Sequence, residues 1–279
     1  MTDLPDMVLE PMVRHALLED LGTAGDITSR LVVPSDTRAS AELQAREAGV
    51  VSGLQLARLA FHAIDPELVI TGGEDGVPCA PGDVLMRIEG KATSLLAAER
   101  VALNFAGRLS GIASLTAQFV AETKGTRARI TCTRKTTPGL RVAEKLAVLH
   151  GGGSNHRVNL SDAVLIKDNH IAAAGGVVPV LEAVKAKAGH MLHVEIEVDT
   201  MDQLDQVLAT GGAHVVLLDN FSTDDLATAV ARVHGQMVVE ASGNMRFERI
   251  AEVAATGVDY ISVGALTHSA PVLDLGLDF

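Results

Sequence analysis

Four short apolar runs in the second half of the chain, HVEIEVD, VVLLDN, MVVEASG and YISVGA, begin near residues 193, 215, 237 and 260. The steps of 22, 22 and 23 residues constrain the fold more than any other feature of the sequence. Each run is β-prone and ends in a polar or glycine cluster, as strands buried on both sides of a parallel sheet do. RITCTRK and AVLIKDN, upstream, have the same character. A step of this length holds one strand and one helix. Thr200, Ser222 and Asn244 are placed to cap three such helices, and Gly211, Gly235 and Gly257 to stop them. Right-handed βα units either close into a barrel or open into a doubly wound sheet, and the spacing does not choose between the two.

Both architectures put chemistry at the C-terminal ends of the strands. Those ends carry Arg134 and Lys135, Lys167 and Asp168, Glu197 and Asp199, Asp219 and Asn220, Ser242 and Gly243, and finally Gly264. Cations, acids and small residues on one mouth suit a phosphorylated substrate with a divalent metal. The turns Ser242-Gly243-Asn244 and Val263-Gly264-Ala265 are expected to offer backbone N–H groups to a phosphate. Singly, each residue has a plainer reading: Asp219 as a helix-capping acid, Glu197 as a satisfied strand acid, Gly264 as a turn.

The charge distribution agrees. The formal net charge is -12, which excludes a protein that binds nucleic acid by a basic surface. Yet from Arg127 to Lys167 eight Arg or Lys residues face only Glu144 and Asp162. For Arg127, Arg129 and Lys145 a solvated helix face is the expectation. Arg134, Lys135, His156 and Arg157 lie instead among Gly, Pro and Asn beside apolar runs, which points to a small polyanion.

The first hundred residues differ. ASAELQAREAGVVSG and LVITGGEDGVPCAPGDVLMRIEG read as short strands with Gly and Pro turns. TSLLAAERVALNFAGRLSGIASLTAQFVAET reads as one long helix. Arg100 lies in that helix, where a salt bridge to Glu99 or a snorkelled stem would explain it. With 47% hydrophobic and 21% charged residues the composition is that of a soluble globular protein. The acidic N-terminus is unlike a signal peptide, and no apolar run approaches the ~18 residues of a membrane span, so a cytoplasmic location is expected. Cys79 and Cys132, without CxxC spacing, are expected to be buried free thiols. Walker A, GxGxxG, HExxH and GxSxG patterns are absent.

TRKTTPGLR, GGGSNHR, LIKDNHI, VEIEVD, LLDNF, EASGN and VGALTHS, in this order and spacing, closely resemble the quinolinate phosphoribosyltransferase family, also called nicotinate-nucleotide pyrophosphorylase (carboxylating). The resemblance extends from EDLGTAGDIT to the final LDLGLDF. It implies an α/β fold of two domains. The first is an N-terminal open α/β sandwich over 1–107, rejoined by the tail 268–279. The second is an incomplete α/β barrel of parallel strands, TIM-like, over 108–267. It implies transfer of phosphoribose from phosphoribosyl pyrophosphate to quinolinate with loss of carbon dioxide, giving nicotinate mononucleotide in NAD biosynthesis. Carried over residue by residue, Arg134, His156 and Arg157, with Arg100 and with Thr133 beside them, would clamp the two quinolinate carboxylates. Lys135 and Lys167 would act as point charges. Glu197 and Asp219 would hold the ribose hydroxyls and, directly or through water, Mg2+ on the pyrophosphate. Ser242, Gly243, Asn244, Val263, Gly264 and Ala265 would cradle the 5'-phosphate. The family also implies a homodimer or larger homo-oligomer, with Arg100 reaching into the partner's barrel. Two alternatives stay open: a phosphoribosyltransferase for nicotinate or another ring acid, and a TIM-barrel lyase or aldolase with Lys135 or Lys167 as Schiff-base residue.

Overall fold

The computed structural model describes residues 3–279. It opens with helices α1 (Asp6–Leu21) and α2 (Ile27–Val32) and strands β1 (Arg38–Ala45) and β2 (Gly49–Val50). Then come α3 (Leu54–Ile64), β3 (Val69–Gly72), β4 (Pro78–Cys79), β5 (Val84–Lys91) and the 30-residue α4 (Ala92–Ala121). After β6 (Arg129–Thr131) and α5 (Arg141–His150) follow β7 (Val164–Ile166), α6 (Asp168–Ala174) and α7 (Val177–Lys187). The regular repeat runs through β8 (Val194–Val198), α8 (Met201–Thr210), β9 (Val215–Asp219), α9 (Thr223–Val233), β10 (Val238–Ser242), α10 (Ile250–Ala255) and β11 (Tyr260–Ser262). A short α11 (Ala265–His268) and β12 (Leu275–Asp278) end the chain. Among the described residues no helix is long and apolar enough to cross a membrane.

These elements form two compact units. The first comprises the described residues up to Ala117, Thr136–Gly152 and Ala265–Phe279. Its antiparallel sheet has the order β12-β1-β5-β3. In β1 the period of two buries Ala41, Leu43 and Ala45, and in β5 it buries Met86 and Ile88. Leu9, Val13 and Leu17 of α1 and Leu56, Ala60 and Phe61 of α3 are buried as well. The segment TTPGLRVAEKLAVLH is anchored in this unit by a buried acid. The Glu144 carboxylate accepts from the Arg108 guanidinium (2.9 Å), from the Thr137 hydroxyl (2.8 Å) and from the Thr137 backbone N–H (3.0 Å). A fully buried carboxylate left unpaired would be strongly destabilising, so this network fixes α5. Lys145, expected on a solvated face, is buried instead, because Ala143–Val148 of α5 is buried throughout. Arg127 and Arg129 are exposed as expected.

The second unit comprises Gln118–Lys135 and Gly153–Gly264. Its six strands are all parallel, in the order β6-β11-β10-β9-β8-β7. From β7 to β11 each strand pairs with the next in sequence, and the last, β11, pairs with the first, β6. A doubly wound sheet reverses its order at a switch point, whereas this order does not. The sheet is an incomplete α/β barrel, open between β6 and β7. Ser154 fills part of that gap, donating its N–H to Ile130 O (2.8 Å) and accepting at its carbonyl from Cys132 N–H (3.2 Å).

The helix punctuation is mostly as the sequence implies. The Thr200 hydroxyl accepts from Gln203 N–H and the Ser222 hydroxyl from Asp225 N–H, while Gly211 closes α8. His234, left-handed at φ 47°, ends α9 one residue before Gly235. Asn244 does not cap α10. Its φ is 48°, outside the extended region that an N-cap needs, and its side-chain amide donates to Asn220 Oδ1 (3.2 Å). The chain enters α10 through a 3-10 turn at Phe247–Arg249.

Gly111 shows what the C-terminal tail demands of α4. A Cβ there would lie 1.8 Å from Pro271 O, while Leu273 N–H donates to Gly107 O (3.0 Å). Glycine to alanine inside a helix ordinarily gains about 1 kcal/mol. Here the overlap reverses the sign, and Gly111→Ala is expected to lose about 1–3 kcal/mol in urea denaturation. A gain would mean that the tail does not lie on α4.

Candidate active site

The barrel interior is polar in two layers, because residues two apart on a strand share a face. At the C-terminal rim stand Lys167 after β7, Glu197 on β8, Asp219 on β9, Ser242 on β10 and Gly264 after β11. Thr133, Arg134 and Lys135 follow β6, so cations flank both edges of the gap. Acids occupy the two strands next to β7, and glycine turns the two next to β6.

On the acidic arc Lys167 Nζ pairs with Glu197 Oε2, and Asn220 Nδ2 donates to Asp219 Oδ2 (2.6 Å). Asp199 is near enough to sense the cluster. Burial pushes its carboxyl above the ordinary aspartate value, the charges of Asp219 and Asp168 push it further, and Lys167 opposes them.

The basic arc is held by a tight loop. Val158 and Asn159 N–H groups donate to the Asp162 carboxylate (2.6 and 3.2 Å), and Arg157 Nη1 donates to Ala163 O (3.0 Å). Burial raises the Asp162 carboxyl, but those two N–H groups, its own N–H and the Arg157 charge outweigh it and leave it below the ordinary value. Burial also draws the Arg157 guanidinium below its usual value, and the like charge of Arg134 adds to this against Asp162 and Glu195. Two adjacent guanidiniums under mutual repulsion are a site prepared for an anion. Lys135 is exposed, with its N–H on the Thr133 hydroxyl (3.0 Å).

The glycine arc is equally specific. A Cβ on Gly243, at φ +89°, would lie 2.3 Å from Asn220 Oδ1, so the turn admits only glycine. The N–H groups of Gly243 and Asn244 make no hydrogen bond among the described residues. The Val263 N–H, expected to be available, is instead donated to Thr131 O (2.9 Å), because β11 continues its pairing with β6 one residue further. Ala265 opens α11 and, like Arg100 on α4, belongs to the first unit. Arg100 is exposed, and among the described residues no salt bridge joins it to Glu99.

In the layer beneath, sequence reasoning singled out His156 but not the two acids that meet it. His156 Nε2 lies 2.8 Å from Glu195 Oε2 and 4.0 Å from Glu240 Oε1, and the Ser262 hydroxyl also meets Glu240. Candidate metal-binding atoms of His156, Glu195 and Glu240 lie within 4.8 Å of one another. They face a cavity of about 290 Å³ inside this unit. The signal was present in VEIEV and VVEAS, where an acid interrupts a strand buried on both faces and therefore requires a partner.

A barrel of parallel strands with cations, carboxylates and glycine turns converging on its C-terminal rim is an enzyme for small, highly charged anions. Residues 26–110 match the quinolinate phosphoribosyl transferase N-terminal domain, and residues 112–278 match the C-terminal domain. The chain belongs to the quinolinate phosphoribosyltransferase family. It is 44% identical over 272 residues to the nicotinate-nucleotide pyrophosphorylase [carboxylating] of Mycobacterium leprae (strain TN), covering 95% of each chain. It is 39% identical to the probable enzyme of the same name from Bacillus subtilis (strain 168), covering 97% of this chain and 93% of the other. The crystal structure of NadC from Streptococcus pyogenes superposes with a TM-score of 0.96 at 38% identity, over 100% of this chain and 98% of that one.

The like charges on the acidic arc make a test. Asp219→Asn is expected to bring the Asp199 midpoint down toward the ordinary aspartate value, followed by carboxyl 13C NMR titration. An unmoved midpoint would mean that burial and Asp168 set it without Asp219.

Proposed function

We propose that this enzyme condenses quinolinate with phosphoribosyl pyrophosphate, releasing pyrophosphate and carbon dioxide and forming nicotinate mononucleotide for NAD biosynthesis. The supporting observation is the pair of half-buried guanidiniums, Arg134 and Arg157, acting on one another beside His156. Adjacent carboxylates on a pyridine ring need several fixed cations in a small volume, and a planar fork binds carboxylate in a bidentate manner. In this reading Arg134, His156 and Arg157, with Thr133, hold quinolinate, and Lys135 and Lys167 balance the bound anions. Glu197 and Asp219 take the ribose hydroxyls. Ser242, Gly243, Asn244, Gly264 and Ala265 hold the 5'-phosphate. Val263 serves there only by shaping the turn.

The chemistry asks for positioning and charge, not a covalent nucleophile. As the pyridine nitrogen approaches C1', the ribose gains positive charge that Glu197 and Asp219 stabilise, while the lysines stabilise the departing pyrophosphate. Ring nitrogen alkylation makes a pyridinium, whose positive nitrogen stabilises the electron pair left on C2 when the 2-carboxylate departs as carbon dioxide; a proton from water then completes the C2–H bond of the product. The oxygen-only donors Glu197 and Asp219, in a cluster whose like charges already raise Asp199, fit a hard divalent cation. Mg2+ there would neutralise the pyrophosphate charge. A Schiff-base role does not suit Lys167, a half-exposed ammonium paired with Glu197.

We also propose a homodimer, or a larger homo-oligomer built from it, that works in the cytoplasm. The two free, buried cysteines suit a reducing compartment. Arg100, exposed and without a Glu99 partner, completes the clamp of the partner's barrel.

Product analysis tests the reaction. With phosphoribosyl pyrophosphate and magnesium, quinolinate is expected to yield nicotinate mononucleotide and carbon dioxide, and omission of magnesium to stop turnover. Nicotinate consumed as fast as quinolinate would favour the other ring-acid reading. Subunit mixing tests the shared site. Arg100→Ala and Lys135→Ala are each expected to slow turnover by roughly 100-fold or more. Random exchange between them should then restore about a quarter of the sites, since half the dimers are mixed and one site in each is intact. No recovery despite demonstrated exchange would place Arg100 in its own chain's site.

A further inference from the structure

Glu195 has no part in the site as assembled above, yet its surroundings give it one. It lies two residues before Glu197 on β8, facing the same barrel interior, and so about 6.6 Å below the rim. Only 7% of it is exposed. An acid this deep survives only when its charge is answered, and the residues that answer it belong to the quinolinate clamp. His156 Nε2 sits 2.8 Å from Oε2. Arg157, next in the chain, feels the Glu195 charge directly. The other oxygen, Oε1, is buried without a hydrogen bond.

A carboxylate only accepts hydrogen bonds, so the contact requires a hydrogen on His156 Nε2. That fixes which ring nitrogen carries the hydrogen and how the ring is turned, as the carboxylate behind a metal-bound histidine does. Glu240 from β10 stands 4.0 Å away and is met by the Ser262 hydroxyl, and Tyr260 from β11 only lines the same cavity. Arg157 and Arg134 are cations without an acceptor, so neither can take that hydrogen. Before substrate arrives, Glu195 is thus an anion set directly against His156 and Arg157.

We propose that Glu195 is a positioning residue for dicarboxylate recognition: its buried carboxylate holds the hydrogen on His156 Nε2 and keeps His156 and Arg157 set for quinolinate. The inference rests on the proposed assignment of His156 and Arg157 to the clamp. It separates Glu195 from Glu197 on the same strand, because Glu195 serves the pyridine acid and Glu197 the ribose.

The experiment compares wild type, Glu195→Gln and Glu195→Leu, each checked for folding by circular dichroism. In 15N-histidine NMR of the free wild-type enzyme, His156 Nε2 is expected to carry its proton. Glutamine can still accept that hydrogen but has no charge, so its KM for quinolinate should rise about 3–10-fold. Leucine can do neither and should raise it about 10–100-fold, the range in which second-layer partners act. In both variants the KM for phosphoribosyl pyrophosphate should stay within about 3-fold of wild type, since the rim that binds it is untouched. A purely structural role predicts that both KM values change together, and that result overturns the proposal. So does an unchanged quinolinate KM in a folded variant, or a wild-type His156 Nε2 without a proton. If Glu195→Leu fails to fold, the selectivity of Glu195→Gln decides alone. A wild type that does not use quinolinate removes the proposed function and this inference with it. A wild type that uses it, with variants impaired alike toward both substrates, removes only the inference.

Discussion

The pairing of β11 with β6 is the contact on which the catalytic unit depends. Three residues a side, Tyr260 with Arg129, Ile261 with Ile130 and Ser262 with Thr131, join the last strand to the first. Without that ladder the order β7 to β11 would be an open ribbon with its rim residues spread along a line. With it the sheet curls, and strand ends separated by up to 130 residues face a common centre. The closure is partial, and the opening between β6 and β7 is where Ser154 stands in for a missing strand and leads into His156 and Arg157.

Charge inside this barrel is balanced in layers. At the rim Lys167 answers Glu197, while Asp168, Asp199 and Asp219 remain in excess, a state that a divalent cation would relieve. One layer down, His156 and Ser262 answer Glu195 and Glu240. Burying this many charges opposes stability unless every partner is in place, which is why the apolar share falls on the strands themselves, with Val215–Leu218 of β9 wholly buried. Preorganised charges of both signs in a shaped site are what a transfer through a cationic ribose and a departing polyanion requires.

Much of this was legible in residues alone. The 22- and 23-residue steps located β8 to β11 within one residue of their observed starts, because buried parallel strands are written as short apolar runs. Thr200 and Ser222 cap as their chemistry implies. Asn244 was read as a cap from residue type, but its φ is left-handed and its side chain meets Asn220, 24 positions earlier. Lys145 shows the same limit, since nothing in VAEKLAV distinguishes a solvated lysine from a buried one.

By itself the sequence determined the number and direction of the barrel strands, the residue types at their ends and, through the order of several motifs, the family. These are local properties: periodicity, capping chemistry and turn residues act within a few positions of where they are written. Strand spacing left open whether the sheet closes, which the family resemblance implied and the strand order shows; tertiary structure alone decided that residues 136–152 belong to the first unit through Glu144 and Arg108, and that Glu195 and Glu240 meet His156. Each of those depends on partners 36 to more than 80 positions apart in the chain, and no window of sequence contains both ends of such a contact.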